Sequence, residues 1–164
     1  MKRTLPLMLA LLLSACSPKY DWRDYRSSDA PYAVLFPSKP ATQTRSIKLD
    51  QLDISMTMSA ADIDGVIFAV GSAQLADAAQ APAAVEAMKT AMVKNINATV
   101  TSSKTLDGGA LEVDASGTER GQAMRLIGRF LAKDKRIYQV VVIGPAARMD
   151  ADSVETFLAS FKQN

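Results

Sequence analysis

Apolar and polar residues alternate along most of this chain, and the alternation predicts strands. From Leu52 to Ser59 the order is strict: Leu52, Ile54, Met56 and Met58 share one side, while Asp53, Ser55, Thr57 and Ser59 share the other. That is the period-2 signature of a half-buried strand. Similar runs are predicted at Tyr32 to Phe36, Thr42 to Leu49, Gln51 to Ala60 and Val66 to Ala73, with turns at Pro37 to Pro40, at Asp50 and at Asp62-Ile63-Asp64-Gly65. Later come Thr99 to Leu106 and Ala110 to Ser116, joined through Asp107-Gly108-Gly109, a strong hairpin signal. After a predicted loop at Gly117 to Gly121, Met124 to Ala132 and Arg136 to Gly144 form a longer pair turned by Lys133-Asp134-Lys135. Tyr138 to Ile143 is almost continuously apolar, which predicts a central strand covered on both faces.

Two stretches change period. Val85, Met88, Met92 and Ile96 recur at steps of three and four, predicting a helix between Asp77 and Asn97. Asp77 and Gln80 form a capping pair there, and Pro82 suits a start slightly later. Val154, Phe157, Leu158 and Phe161 mark a second helix, with Asp152 as the expected cap and Glu155 completing the box. The predicted order is four strands, a helix, four strands and a helix. This reads as one α+β domain, an antiparallel β-sheet flanked by two helices.

The beginning of the chain follows another rule. Lys2 and Arg3 precede an apolar run, Leu5 to Leu13, interrupted by Pro6. The run is shorter than the roughly 20 residues that cross a bilayer, and its form is that of a secretory signal. Its end, Leu13-Ser14-Ala15-Cys16, resembles the lipobox of bacterial lipoproteins. The resemblance implies cleavage before Cys16, acylation of that cysteine and a membrane partner for the acyl chains; the alternative is an ordinary signal peptide that contains a cysteine. Ser17, where enterobacterial lipoproteins retained at the inner membrane carry Asp, favours the periplasmic side of the outer membrane over the inner membrane. The expected organisation is a signal peptide over 1–15, a lipidated N-terminus and tether over 16–30, and a single domain over 31–164. Trp22 or Tyr25 is expected to dock on the domain, or alternatively to sit at headgroup level.

Charge alters the picture once the leader is set aside. Residues 1–15 hold two of the 19 basic residues and none of the 17 acids, so the remainder carries 17 of each. A balanced domain argues against bulk nucleic-acid binding. With the one cysteine committed to lipid, no disulfide is expected. The chain has no histidine, which removes Ser-His-Asp and Cys-His nucleophilic systems and His-based metal sites. Neither a P-loop nor a Gly-x-Ser-x-Gly pattern occurs. The expectation is a protein that is not an enzyme and takes no cofactor or metal.

The segments Ala33-Val34-Leu35-Phe36-Pro37, Gly128-Arg129-Phe130, Tyr138-Gln139-Val140-Val141 and Phe157-Leu158-Ala159-Ser160-Phe161 resemble those of small bacterial lipoproteins of unknown function. Their domain is similar to the α/β/α sandwich of PsbP, the extrinsic photosystem II protein. The resemblance implies that fold and, by analogy with members that act as assembly or binding factors, a non-catalytic binding module.

One candidate surface stands out. Alternation from Met124 to Lys133 puts Arg125, Ile127, Arg129, Leu131 and Lys133 on one face, with Arg120, Lys135 and Arg136 nearby in sequence. Such a stripe suits a carboxylate or phosphate partner, a lipid headgroup or a cell-wall acid, or else an envelope protein. The other reading is a sheet face partly covered by a helix, its long side chains reaching out to solvent. The methionines invite Cu(I), but Met56, Met58, Met88 and Met92 share faces with core residues and read as packing. Asp62 and Asp64 before Gly65 lack the further carboxylates of a calcium loop and read as a turn. The expected function is therefore that of a membrane-anchored binding or assembly module, with a small-ligand or lipid carrier using a sheet-helix cleft as the alternative.

Overall fold

The computed structural model describes residues 18–164. Leu13, Ser14, Ala15 and Cys16 lie outside them. Seven strands form one antiparallel sheet: β3 (Ala41–Leu49), β4 (Leu52–Ile63), β5 (Val66–Gln74), β6 (Thr99–Thr105), β7 (Leu111–Glu119), β8 (Gln122–Lys133) and β9 (Arg136–Pro145). Their order is β3-β4-β5-β9-β8-β7-β6. Two meanders, β3 to β5 and β6 to β9, thus meet where β9 pairs with β5. The expected central strand is central: every residue from Ile137 to Val142 is buried.

The sheet separates two cores. Helix α1 (Ala81–Asn95) lays Ala81, Ala84 and Met88 over Met56, Val113, Leu126, Phe130 and Ile137. Helix α2 (Ala151–Ser160) lays Val154, Phe157 and Leu158 over Phe68, Val70, Tyr138 and Val140 on the opposite face. Phe157 anchors this second core, its ring 5.4 Å from both Phe36 and Phe68. Residues that alternate on one strand feed both cores, which is how an antiparallel sheet covered on both sides is built.

The structure is richer in sheet than the sequence pattern predicts. β1 (Arg23–Arg26), β2 (Tyr32–Phe36) and β10 (Lys162–Gln163) form a second sheet in the order β1-β2-β10. Its residues join α2 in covering the second core, so that face carries a small sheet as well as a helix. Tyr25 sits edge-on to Phe36 at 5.3 Å, and its hydroxyl meets Ser59 Oγ at 3.0 Å. Trp22 packs edge-on to Phe68 at 6.5 Å and stacks with Tyr20. β1 has four residues and β10 two, too short to show a period.

Local corrections have local causes. β7 continues through Glu119 where a loop was expected from Gly117, because Thr118 and Glu119 pair with Ala123 and Gln122 and only Arg120 and Gly121 turn. Gly117 keeps its place in the strand for another reason: a Cβ there would come within 2.5 Å of the Ile96 carbonyl oxygen. α2 is capped by Asp150, whose carboxylate accepts from Ser153 N at 2.9 Å, two residues before the expected Asp152. At α1 the Asp77 and Gln80 pair closes a short 3₁₀ turn, and the α-helix starts at Ala81 with Pro82 in its first turn.

Candidate functional site

The alternation on β8 holds in three dimensions, and the row it creates is not uniform. Leu126 and Phe130 enter the α1 core, while Ile127 and Leu131 pack against the α2 core on the other face. Between them the two arginines are neutralised by β7. Register places Asp114 opposite Ile127 and Glu112 opposite Arg129. Arg125 Nε donates to Asp114 Oδ1 at 3.0 Å, and Arg129 Nε donates to Glu112 Oε2 at 2.8 Å. Arg129 Nη1 also donates to the Leu158 carbonyl at 3.0 Å, tying β8 to the last turn of α2. Lys104 of β6 reaches the other oxygen of Glu112 at 2.9 Å.

These contacts set the titration of the row. Burial alone would raise the Glu112 carboxyl, but hydrogen bonds from Lys104 and Arg129 outweigh it and hold the group below its ordinary value. The hydrogen bond to Asp114 pushes Arg125 up, so its positive charge is fixed. α2 also closes over this part of the row. The space left between β8 and α2, lined by Glu112, Arg125, Ile127, Met149, Val154 and Leu158 among others, is about 170 Å³.

Lys133, the last residue of the row, lies in different surroundings. It joins Asp134, Lys135 and Arg136 at the β8–β9 hairpin in an open cleft of about 510 Å³, completed by Gln74, Pro31, Tyr138 and Asn164. Lys133 pairs in register with Arg136, and Asp134, at φ 54°, makes the two-residue turn. The hairpin is pinned by Leu75 N donating to the Lys135 carbonyl at 2.7 Å, and the Pro31 side by Asn164 N donating to the Pro31 carbonyl at 2.9 Å. Lys133, Lys135 and Arg136 form no ion pair among the described residues. Burial pushes the Tyr138 phenol up, and the positive charge of Arg136 pulls it the other way. The cleft can therefore offer three cations and the Gln74 and Asn164 amides to an anionic group, beside the one carboxylate of Asp134, while Tyr138 beneath them is itself buried.

The sequence pattern reaches Lys133 with Lys135 and Arg136 beside it, whereas Arg120, also near in sequence, turns β7 into β8 at the opposite end of the strand. Gln74, Pro31 and Asn164 carry no local signal, since tertiary packing alone brings them to the hairpin. Among the described residues no group of three or more His, Cys, Asp or Glu is placed to hold a metal ion. Met58 and Met92 converge instead on the amide of buried Gln139, whose Nε2 lies 3.4 Å and 3.8 Å from their sulfurs. No helix of the described residues is long and apolar enough to cross a membrane.

What fold and cleft define together is a small antiparallel α+β domain with a basic cleft at one end of its main sheet. Comparison with protein-family models and with curated proteins returns no match for the chain.

Proposed function

We propose that this chain is a membrane-anchored lipoprotein whose domain binds an anionic envelope component without catalysing a reaction. The observation that carries the binding part is the contrast along β8. Arg125 and Arg129 are satisfied by Asp114 and Glu112, whereas Lys133, Lys135 and Arg136 line a cleft and have no acidic partner among the described residues. Cations not needed by the fold are the ones available to a ligand. The anchor rests on the resemblance of Leu13 to Cys16 to a lipobox, with the periplasmic side of the outer membrane as the location that Ser17 favours. The PsbP-like resemblance supports a binding role by analogy.

The carrier alternative needs an enclosed space between sheet and helix. Between β8 and α2 about 170 Å³ is left, below the roughly 300–1,000 Å³ of small-molecule sites; the space of about 410 Å³ beside α1 and β6, lined by Lys89, Val93, Asn97 and Val100 among others, lies open at the surface and does not enclose a ligand.

The test uses the full chain expressed in a Gram-negative host, purified in detergent and titrated with fluorescent poly-L-glutamate. Binding that weakens with salt is expected, falling about tenfold or more in the Lys133→Gln, Lys135→Gln, Arg136→Gln triple variant. Arg125→Gln is expected to bind as the parent does. Equal binding by the triple variant, or none by the parent, would overturn the binding reading. A mass spectrum showing unmodified Cys16 would overturn the anchor.

A further inference from the structure

We infer that the basic cleft faces away from the membrane and takes an anionic polymer in trans, not the headgroups of the lipid layer that holds Cys16. The inference rests on the anchored reading above and selects between the two sources of anionic groups that a basic surface suits.

Its basis is the polarity of the main sheet. At one end lie the turn Asp64-Gly65, the turn Arg120-Gly121 and the 3₁₀ turn Ala146–Arg148, since Ile63 pairs with Val66, Glu119 with Gln122, and Met124 with Pro145. At the other end lie Asp50-Gln51 and the hairpin at Asp134-Lys135, since Leu49 pairs with Leu52, Lys133 with Arg136, and Gln74 with Arg136. β8 runs from the first end to the second in 12 residues, a span of about 40 Å at ~3.4 Å per residue.

The described chain enters at the first end. Lys19 Nζ lies 3.5 Å from Asp64 Oδ2, in a bowl lined also by Arg148, Met149 and Asp150. Cys16 is three residues before Lys19, a contour of at most about 11 Å. The described chain therefore begins at the Asp64 end, opposite the cleft, only a few residues after the expected anchor. Headgroup charge is screened over about 8 Å at physiological salt, far less than the length of β8.

The cleft itself favours a polymer over a lone anion. Lys133 and Lys135 are exposed, and an exposed charge pair on its own contributes little to binding. A single small anion would be held weakly, whereas repeated carboxylates or phosphates on one strand raise the effective concentration of each next contact.

The experiment places the lipidated protein on vesicles of phosphatidylcholine, with and without phosphatidylglycerol, and measures capture of fluorescent poly-L-glutamate by co-sedimentation. Equal capture on both vesicles is expected, reduced about tenfold or more by the Lys133→Gln, Lys135→Gln, Arg136→Gln triple variant. Capture in detergent that disappears on either vesicle would overturn this inference and leave the proposed binding function standing, because the bilayer or its headgroups would then occupy the cleft. Failure in detergent as well would overturn the binding function itself.

Discussion

Glu112 accepts hydrogen bonds from Lys104 and Arg129, and through Arg129 it connects three strands with the end of α2. Its carboxyl titrates below its ordinary value in the folded protein. A group whose folded pKa is depressed contributes stability above its unfolded value, near about 4.3, and that contribution is lost as the pH falls through the folded value. Glu112→Gln is therefore expected to cost about 1–3 kcal/mol at neutral pH, with the difference from the parent shrinking below about pH 4. Urea unfolding of both proteins across that range checks it. The stripe was legible in the alternation of β8, but its neutralisation was not, because nothing in Arg125 or Arg129 announces which strand lies alongside. At Tyr32 burial wins instead and pushes the phenol up to about 12.

Elements of five residues or more were legible, and the shortest were not. β4 and β8, with 12 residues each, show their period clearly. β1 and β10 are set by pairing with β2, a long-range event with no periodic trace. α2 shows a finer failure. Asp152 and Asp150 are both plausible caps by residue type, and the choice falls to Asp150 because its backbone is extended, at φ −86° and ψ 120°, and its carboxylate reaches Ser153. Hydrogen bonds from the Ser153 side chain and backbone hold the Asp150 carboxyl below its ordinary value. Asp150→Ala is expected to lower the Tm clearly, while Asp152→Ala is expected to change it little. Thermal unfolding followed by circular dichroism distinguishes the two.

At the scale of the molecule, β9 is the seam. It pairs with β5 on one side and β8 on the other, and its residues contribute to both cores. Opening it requires both meanders to part, so its amides are expected to exchange only at the free energy of global unfolding. Those facing outward on edge strands β3 and β6 are expected to exchange orders of magnitude faster. Hydrogen exchange read by NMR checks this, and slow exchange confined to one meander would show that the two halves open separately. The same seam places Gln74 of β5 beside Arg136 of β9, and so builds one wall of the cleft.

By itself the sequence determined what local chemistry governs: the strands of the main sheet, both helices, the central burial of Tyr138 to Val142 and the cations Lys133, Lys135 and Arg136. Periodicity reports how each residue meets its immediate neighbours, so these features are written into consecutive positions. Tertiary structure alone decided that β9 closes against β5, that a three-stranded sheet shares the second core with α2, and that Glu112 and Asp114 silence two arginines while three other cations stay unpaired among the described residues. Those outcomes depend on which distant segments bury their apolar faces together. Burial is non-directional, so a single segment cannot specify its partner in advance.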